Sequence, residues 1–310
     1  MNSSHSGTPK LKLGTRGSPL ALAQAHTVQK GLADAHGIPL DAIEIVVIKT
    51  TGDQILDRPL EEAGGKGLFT KELDSALIAG GIDFAVHSAK DLPTLLPPEI
   101  TIAGYLPRED TRDVWISPVA PHPRDLPKGA KVGTASLRRG AMLKRMRPDL
   151  DVSLLRGNVQ TRLSKVASGE FTGTLLALAG LKRLGLTGHA TTILPVDEFL
   201  PAAGQGAIGI TARAGDEAVW AQLAPILDAA TGIALAAERA FLSRLDGSCK
   251  TPIGAQAQVQ DANLTFRGLL LRSDGSDALE AAISGAAGDA AQLGEDAARS
   301  ILARRPAGWV

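Results

Sequence analysis

The chain of 310 residues contains one cysteine, Cys249, so no internal disulfide can form. A four-ligand zinc site would have to come mostly from other residue types. The six histidines (His5, His26, His36, His87, His122 and His189) show no HxxxH or comparable spacing, and no metal site is expected. Aromatic residues make up 3% of the chain, too few for the stacking platforms that bind single-stranded nucleic acid. Lys plus Arg and Asp plus Glu balance at 33 each. No global basic field therefore holds nucleic acid, and any anion site must arise from local clustering. No stretch approaches the ~18 apolar residues needed to span a bilayer. The first nine residues are polar and lack a signal-peptide core. The expectation is a cytoplasmic protein with no membrane, nucleic-acid or metal partner.

Three phosphate or acyl-transfer motifs are missing too. No Gly-x-Ser-x-Gly elbow occurs, and no G-x-G-x-x-G follows the first strand. Gly64-Gly65-Lys66-Gly67 has the look of a P-loop, but Gly67 stands where Ser or Thr is required.

What is present is an alternation of strand-like and helix-like segments, over a length that predicts two or three domains. Strands are predicted at 11–13, 43–48, 84–86, 100–103, 114–117, 131–133, 152–155 and 175–178. Ser18 caps a helix with Pro19 at its first position, and further helices are predicted at 68–78, 137–146, 159–167 and 179–184. This pattern describes α/β lobes with largely parallel sheets. The last third differs: a helix near 232–245, strands at 253–259, 264–271 and 278–283, then an Ala-rich helix at about 290–303. Asp274-Gly275 marks a hairpin between the last two strands. That is a small α+β domain. Residues 52–67 lack periodicity, and a loop of that length is often an active-site lid.

The charges are not scattered. Arg16 follows the first strand; Ser136, Arg138 and Arg139 follow another; Arg156 follows a third, with Arg162 one turn into the next helix; Lys182 and Arg183 follow a fourth. Ligands of open α/β sheets bind beyond the carboxyl ends of the strands, where helix N-termini favour anions. Arginines at those ends grip carboxylate or phosphate at two points. One such arginine is ordinarily a solvated charge; four such junctions in a neutral chain indicate a cleft for a polyanion. Asp91, just past a strand end in Val86-His87-Ser88-Ala89-Lys90-Asp91-Leu92-Pro93, is suited to stabilise a developing cation or pass a proton. Its alternative is an Asx turn before Pro93. Cys249 lies in Asp246-Gly247-Ser248-Cys249-Lys250, a polar loop in which the lysine favours thiolate. A lone cysteine is more often a small buried hydrophobe; these flanks point instead to a reactive thiol.

Residues 238–254 around that cysteine, together with 86–93, Ser136-Leu137-Arg138-Arg139, Leu155-Arg156-Gly157-Asn158-Val159 and Pro201-Ala202-Ala203-Gly204-Gln205-Gly206, closely resemble the porphobilinogen deaminase (hydroxymethylbilane synthase) family. The resemblance implies a transferase that joins four porphobilinogen molecules head to tail, losing ammonia each time, and releases hydroxymethylbilane. It implies a dipyrromethane cofactor attached through a thioether to Cys249. Cofactor contacts would fall to Lys90, Asp91, Ser136, Arg138 and Arg139, and substrate contacts to Arg16, Ser18, Lys66, Arg156, Arg162, Arg183 and Gln205. Asp91 would be the catalytic carboxylate, facing pyrrole N–H groups as positive charge develops on the substrate. The implied fold is α/β: two periplasmic-binding-protein-like lobes with mixed sheets plus a small C-terminal α+β domain. The boundaries expected are 1–104 with 205–223, then 105–204, then 224–310, in a monomer. Departures are few: Ala135 where Ser is frequent, Lys250 where Gln is common, and Thr211 where an acidic residue is common.

Two other functions share some of these features. An anion-binding receptor also has two lobes and an arginine-lined cleft, but has no use for a loop cysteine. A thiol hydrolase needs a His–Asp pair beside Cys249, and none is readable.

Overall fold

A computed structural model describes residues 11–54, 67–245 and 251–309. The chain opens with β1 (Leu11–Arg16), α1 (Pro19–His36), β2 (Ile43–Ile48), the single turn α2 (Thr51–Gln54), α3 (Lys71–Ile78), β3 (Phe84–Ser88) and β4 (Ile100–Tyr105). Next come β5 (Asp113–Ile116), β6 (Lys131–Gly133), α4 (Leu137–Met146), β7 (Asp151–Ser153), α5 (Val159–Ala167), β8 (Gly173–Ala177), α6 (Leu178–Arg183) and β9 (Thr192–Ile193). The last stretch holds β10 (Ile208–Arg213), α7 (Glu217–Leu223), α8 (Ala229–Arg244), β11 (Ile253–Gln260), β12 (Asn263–Leu271), β13 (Ala278–Ala286) and α9 (Ala290–Arg304).

Two sheets share one plan. The first runs β2-β1-β3-β10-β4 and the second β7-β6-β8-β5-β9. In each, three parallel strands are followed by one that is antiparallel to both its neighbours: β10 between β3 and β4, β5 between β8 and β9. The sheets are thus mixed, not largely parallel as local pattern alone predicts. The reason lies in the two chain crossings between the lobes. Each crossing delivers the antiparallel strand of the lobe it enters, β5 after β4 and β10 after residue 207, so β10 returns to the first sheet. The two crossings run side by side: Leu106 N–H donates to Ile208 O (3.1 Å) and Glu109 N–H to Gly206 O (3.2 Å). The third sheet is an antiparallel meander, β11-β12-β13.

Each sheet buries its own apolar face, the main stabilising term at ~1.5–3 kcal/mol per large side chain. Leu13, Val28, Leu32, Phe84, Ile208 and Ile210 fill the first lobe. Trp115, Leu143, Leu175 and Phe199 fill the second, joined by Leu269 and Leu271 of β12. The C-terminal sheet is therefore packed against the second lobe as well as against its own helices. Phe241 and Phe266, ring centroids 5.0 Å apart, centre that third core. Among the described residues no single helix is long and apolar enough to cross a membrane.

Candidate functional site

The parallel strands aim their carboxyl ends at one interlobe cleft. β1 ends in Arg16, and β3 runs through Ser88 into a tight turn, 89–91, that carries Lys90 and Asp91. From the opposite lobe, β6 leads to α4, whose N-cap Ser136 accepts from Arg139 N–H (3.4 Å). β7 leads through Arg156 to α5, whose N-cap Asn158 accepts from Thr161 N–H (2.9 Å). These caps explain why both helices begin where the sequence predicts, and they leave the adjoining arginines at positive helix ends.

Asp91 meets Arg16 across a gap: Arg16 Nη1 is 3.8 Å from Asp91 Oδ2, beyond hydrogen-bond reach. The rest of the Arg16 guanidinium is occupied by Asp53, which accepts from Nε (3.1 Å) and from Nη2. Burial pushes the Asp53 carboxyl up, but hydrogen bonds from Arg16 and Thr50 and the Arg16 charge outweigh it and hold it below the usual range. Facing these from the second lobe are Arg139, Arg156 and Arg162. Burial, then the charges of Arg139 and Arg156, bring Arg162 down to about 10, with Asp91 pulling the other way. Lys90 is brought down to about 8 by confinement within the cleft and by Arg139, against the opposing pull of Asp91 and Asp113. Lys90 is nonetheless exposed to solvent. These cations crowd one another, as a site built for several negative charges should.

Arg138 and Arg139 are arranged differently from the expectation that they simply line the cleft. Both are buried on the fully buried carboxylate of Asp113: Arg138 Nη2 donates to Oδ2 (2.7 Å), and Arg139 Nη2 and Nε donate to Oδ1 (2.6 and 3.1 Å). Burial would raise the Asp113 pKa, but the two guanidinium charges and their hydrogen bonds hold it far below the carboxylate range. Arg138 also donates to Leu200 O (2.7 Å) and Arg139 to Leu175 O (2.9 Å). Arg138 Nε is buried with no partner. Gln205 bridges the lobes: its amide donates to Asp113 Oδ1 (3.0 Å) and Thr111 O (2.8 Å), and its Oε1 accepts from Lys90 Nζ (3.3 Å).

Of the predicted residues, the structure thus brings together Arg16, Lys90, Asp91, Arg138, Arg139, Arg156, Arg162 and Gln205. Ser18 caps α1 through Ala21 N–H (3.3 Å), and Ser136 caps α4. Arg183 is tied to the crossing, donating to Gly206 O (2.6 Å), with burial lowering its pKa and Glu109 countering. Cys249 and Lys66 lie outside the described residues. Sequence reading missed Asp113, because it starts that strand at Val114 and leaves the aspartate in a charged loop. It also missed Glu238, a fully buried carboxylate on α8. Glu238 receives both Arg108 Nη atoms (2.6 and 3.0 Å), Gly204 N–H (2.6 Å) and Ala257 N–H (2.8 Å). It ties both crossings to the C-terminal sheet, and nothing in its sequence context signals burial.

A groove of about 680 Å³ lies elsewhere, between α4 and the C-terminal sheet, walled by Met142, Leu200, Arg267 and Leu269. Its rim mixes Arg145 and Arg267 with Asp197 and Glu280 and has no net charge to select an anion. The cleft, where arginines and a lysine from both lobes gather around Asp91, is the functional candidate. Among the described residues no cluster of His, Cys, Asp and Glu converges as a metal site.

Comparison with known proteins gives a match to the family model "Porphobilinogen deaminase, dipyromethane cofactor binding domain" over residues 11–221, and to "Porphobilinogen deaminase, C-terminal domain" over 233–303. A curated protein named porphobilinogen deaminase from Nitrobacter winogradskyi is 57% identical over 292 residues, covering 94% of this chain and 92% of that one. One of the same name from Nitrobacter hamburgensis is 56% identical over the same shares. Among solved structures, the periplasmic VFT2 domain of Bordetella pertussis BvgS aligns with 74% of this chain and 92% of its own, at 17% identity and TM-score 0.42. A periplasmic substrate-binding protein of an ABC transporter from Coxiella burnetii aligns with 71% of this chain and 93% of its own, at 12% identity and TM-score 0.45.

Proposed function

The chain belongs to the porphobilinogen deaminase family, and from that membership we propose how its cleft carries out the reaction. The protein is a transferase, a hydroxymethylbilane synthase. It condenses porphobilinogen head to tail on a dipyrromethane cofactor for tetrapyrrole biosynthesis.

The residues present fit such a cofactor by the chemistry of their donors. Every pyrrole unit bears an acetate and a propionate, and the cleft offers Arg16, Lys90, Arg139, Arg156 and Arg162. Burial first, and then the charges of neighbouring arginines, make Lys90 and Arg162 lose protons more readily than usual, and bound carboxylates offset both effects. Arg138 Nε, buried and unpartnered, is one donor in need of an acceptor. When bound, the cofactor supplies a free pyrrole α-carbon as the point of chain growth. We assign its thioether attachment to Cys249 and a place beside the cleft to Lys66.

Asp91 carries the chemistry in this reading. Its carboxylate faces the cleft from the turn after β3, where it can accept pyrrole N–H groups and offset the positive charge that develops on the substrate as ammonia leaves. Arg16 and Arg162 hold substrate carboxylates on either side, fixing the ring against Asp91. Ser18, Ser136 and Arg183 contribute through position: the serines hold helix N-termini open to anions, and Arg183 stiffens the crossing at Gly206. Gln205 links Lys90 to Asp113, so the two lobes share one polar network. The domains in this reading are 1–104 with 205–223, 105–204, and 224–310, in a monomeric cytoplasmic enzyme.

The observation that carries the proposal is the Asp91 carboxylate, 3.8 Å from Arg16 of its own lobe and acted on by the charge of Arg162 from the other. Asp91→Asn should keep the cofactor by intact mass yet lose turnover on the order of 10²–10³-fold, the usual cost of removing one preorganised charge-stabilising group. Turnover near the wild-type rate would remove Asp91 from the mechanism.

A further inference from the structure

Asp53 has no assigned role in the reaction, yet it decides where Arg16 points. An arginine 3.8 Å from a carboxylate normally closes to a two-point pair near 2.7–2.9 Å. Here it does not close, and three contacts account for that. Asp53 takes the Nε and Nη2 edge of the guanidinium. Thr50, fully buried, donates Oγ1 to Asp53 Oδ2 (2.7 Å) and fixes that carboxylate. The Phe69 ring covers one face, 4.0 Å from the guanidinium carbon. Gly52 makes room for the ring, since a Cβ there would fall 2.5 Å from it. Only Nη1 is left toward Asp91.

We infer that Asp53 is a positioning residue: it holds Arg16 off Asp91, so that Asp91 keeps its lone pairs for pyrrole N–H groups and Arg16 keeps one donor edge for a substrate carboxylate. The two aspartates have similar side-chain exposure, 31% and 34%, so burial alone does not choose between them. The Thr50 hydroxyl and the Phe69 face tip the balance toward Asp53. Remove the Asp53 charge, and Arg16 swings to pair with Asp91. Both the catalytic carboxylate and the substrate-facing donor are then spent on each other. The inference rests on the reading of Asp91 as the catalytic carboxylate.

The test is a double-mutant cycle on the cofactor-loaded enzyme, with Asp53→Asn, Arg16→Gln and the pair together, and Asp91→Asn measured alongside. Asp53→Asn should retain cofactor by intact mass and lower kcat about 10- to 100-fold, the scale of a misplaced catalytic group. In the Arg16→Gln background the same change should cost little further, because no guanidinium remains to block Asp91. A crystal structure of Asp53→Asn should show Arg16 and Asp91 closed to below about 3 Å. Should Asp53→Asn fail to fold, Thr50→Val, which removes only the orienting hydroxyl, should give a smaller loss that likewise vanishes beside Arg16→Gln. Wild-type kcat in Asp53→Asn, or a loss that adds in full to that of Arg16→Gln, overturns the inference while Asp91→Asn stays slow. If Asp91→Asn is itself active, the reading beneath it fails instead.

Discussion

His87 stands on β3, its ring buried, with Nε2 3.0 Å from Thr211 Oγ1 on β10. Burial first, then the positive charge of Arg16, bring its pKa down to about 4. The native imidazole therefore refuses a proton that the unfolded chain accepts from about pH 6.5 downward. The unfolded state binds more protons in this window, so stability falls as pH drops from about 6.5 to 4, by on the order of 3 kcal/mol from this residue. Urea unfolding at pH 7, 5.5 and 4 should show a shallower acid decline in His87→Gln than in wild type. Equal declines would mean that the ring is not held neutral. Thr211 matters to this balance: a hydroxyl at the end of the imidazole offers no charge to favour the protonated form. At this scale the sequence was informative where a residue sits in a distinctive motif, as Arg16 and Asp91 do. It was silent where burial of a charge depends on distant partners. Asp113 reads as one more acid in Arg108-Glu-Asp-Thr-Arg-Asp113, and only the fold shows two arginines closing on it.

At the scale of elements, capping side chains made boundaries legible. The helices expected from about Leu137 and Val159 do start there, and the structure shows why: Ser136 and Asn158 cap them. Asp216 caps α7 in the same way, accepting from Val219 N–H. The strand β10 carried almost no such signal: Gly204-Gln205-Gly206-Ala207 reads as loop, and membership of the first sheet is set by contacts with strands more than a hundred residues earlier. Those glycines are the crossing's working parts. Gly206 has φ +88°, and a Cβ there would lie 2.3 Å from the backbone oxygen of Glu109. Gly206→Ala should therefore push the two crossing strands apart and cost on the order of 1–3 kcal/mol in backbone strain. Thermal unfolding against wild type measures it; an unchanged Tm would contradict the close approach.

The molecule as a whole is electrically neutral but locally polarised, and its function depends on that contrast. Cations from the ends of four strands face one another across the cleft, while carboxylates fix where they point: the fully buried Asp113 in the second lobe and the half-buried Asp53 beside Arg16. Glu238 does the same for architecture, locking both crossings and β11 to the helix that leads toward Cys249. The third domain is thereby held in register with the cleft. None of this clasp was visible in sequence, since Glu238, Arg108 and Ala257 meet only through the fold. The central claim is that Cys249 carries the dipyrromethane that the arginine cleft is built to hold. The most direct test is the intact mass of the denatured, purified protein beside Cys249→Ser. The account predicts an excess equal to one dipyrromethane in the wild type, present before or after incubation with porphobilinogen, and none in the variant. An unmodified wild type after that incubation, or the same excess on Cys249→Ser, would contradict it.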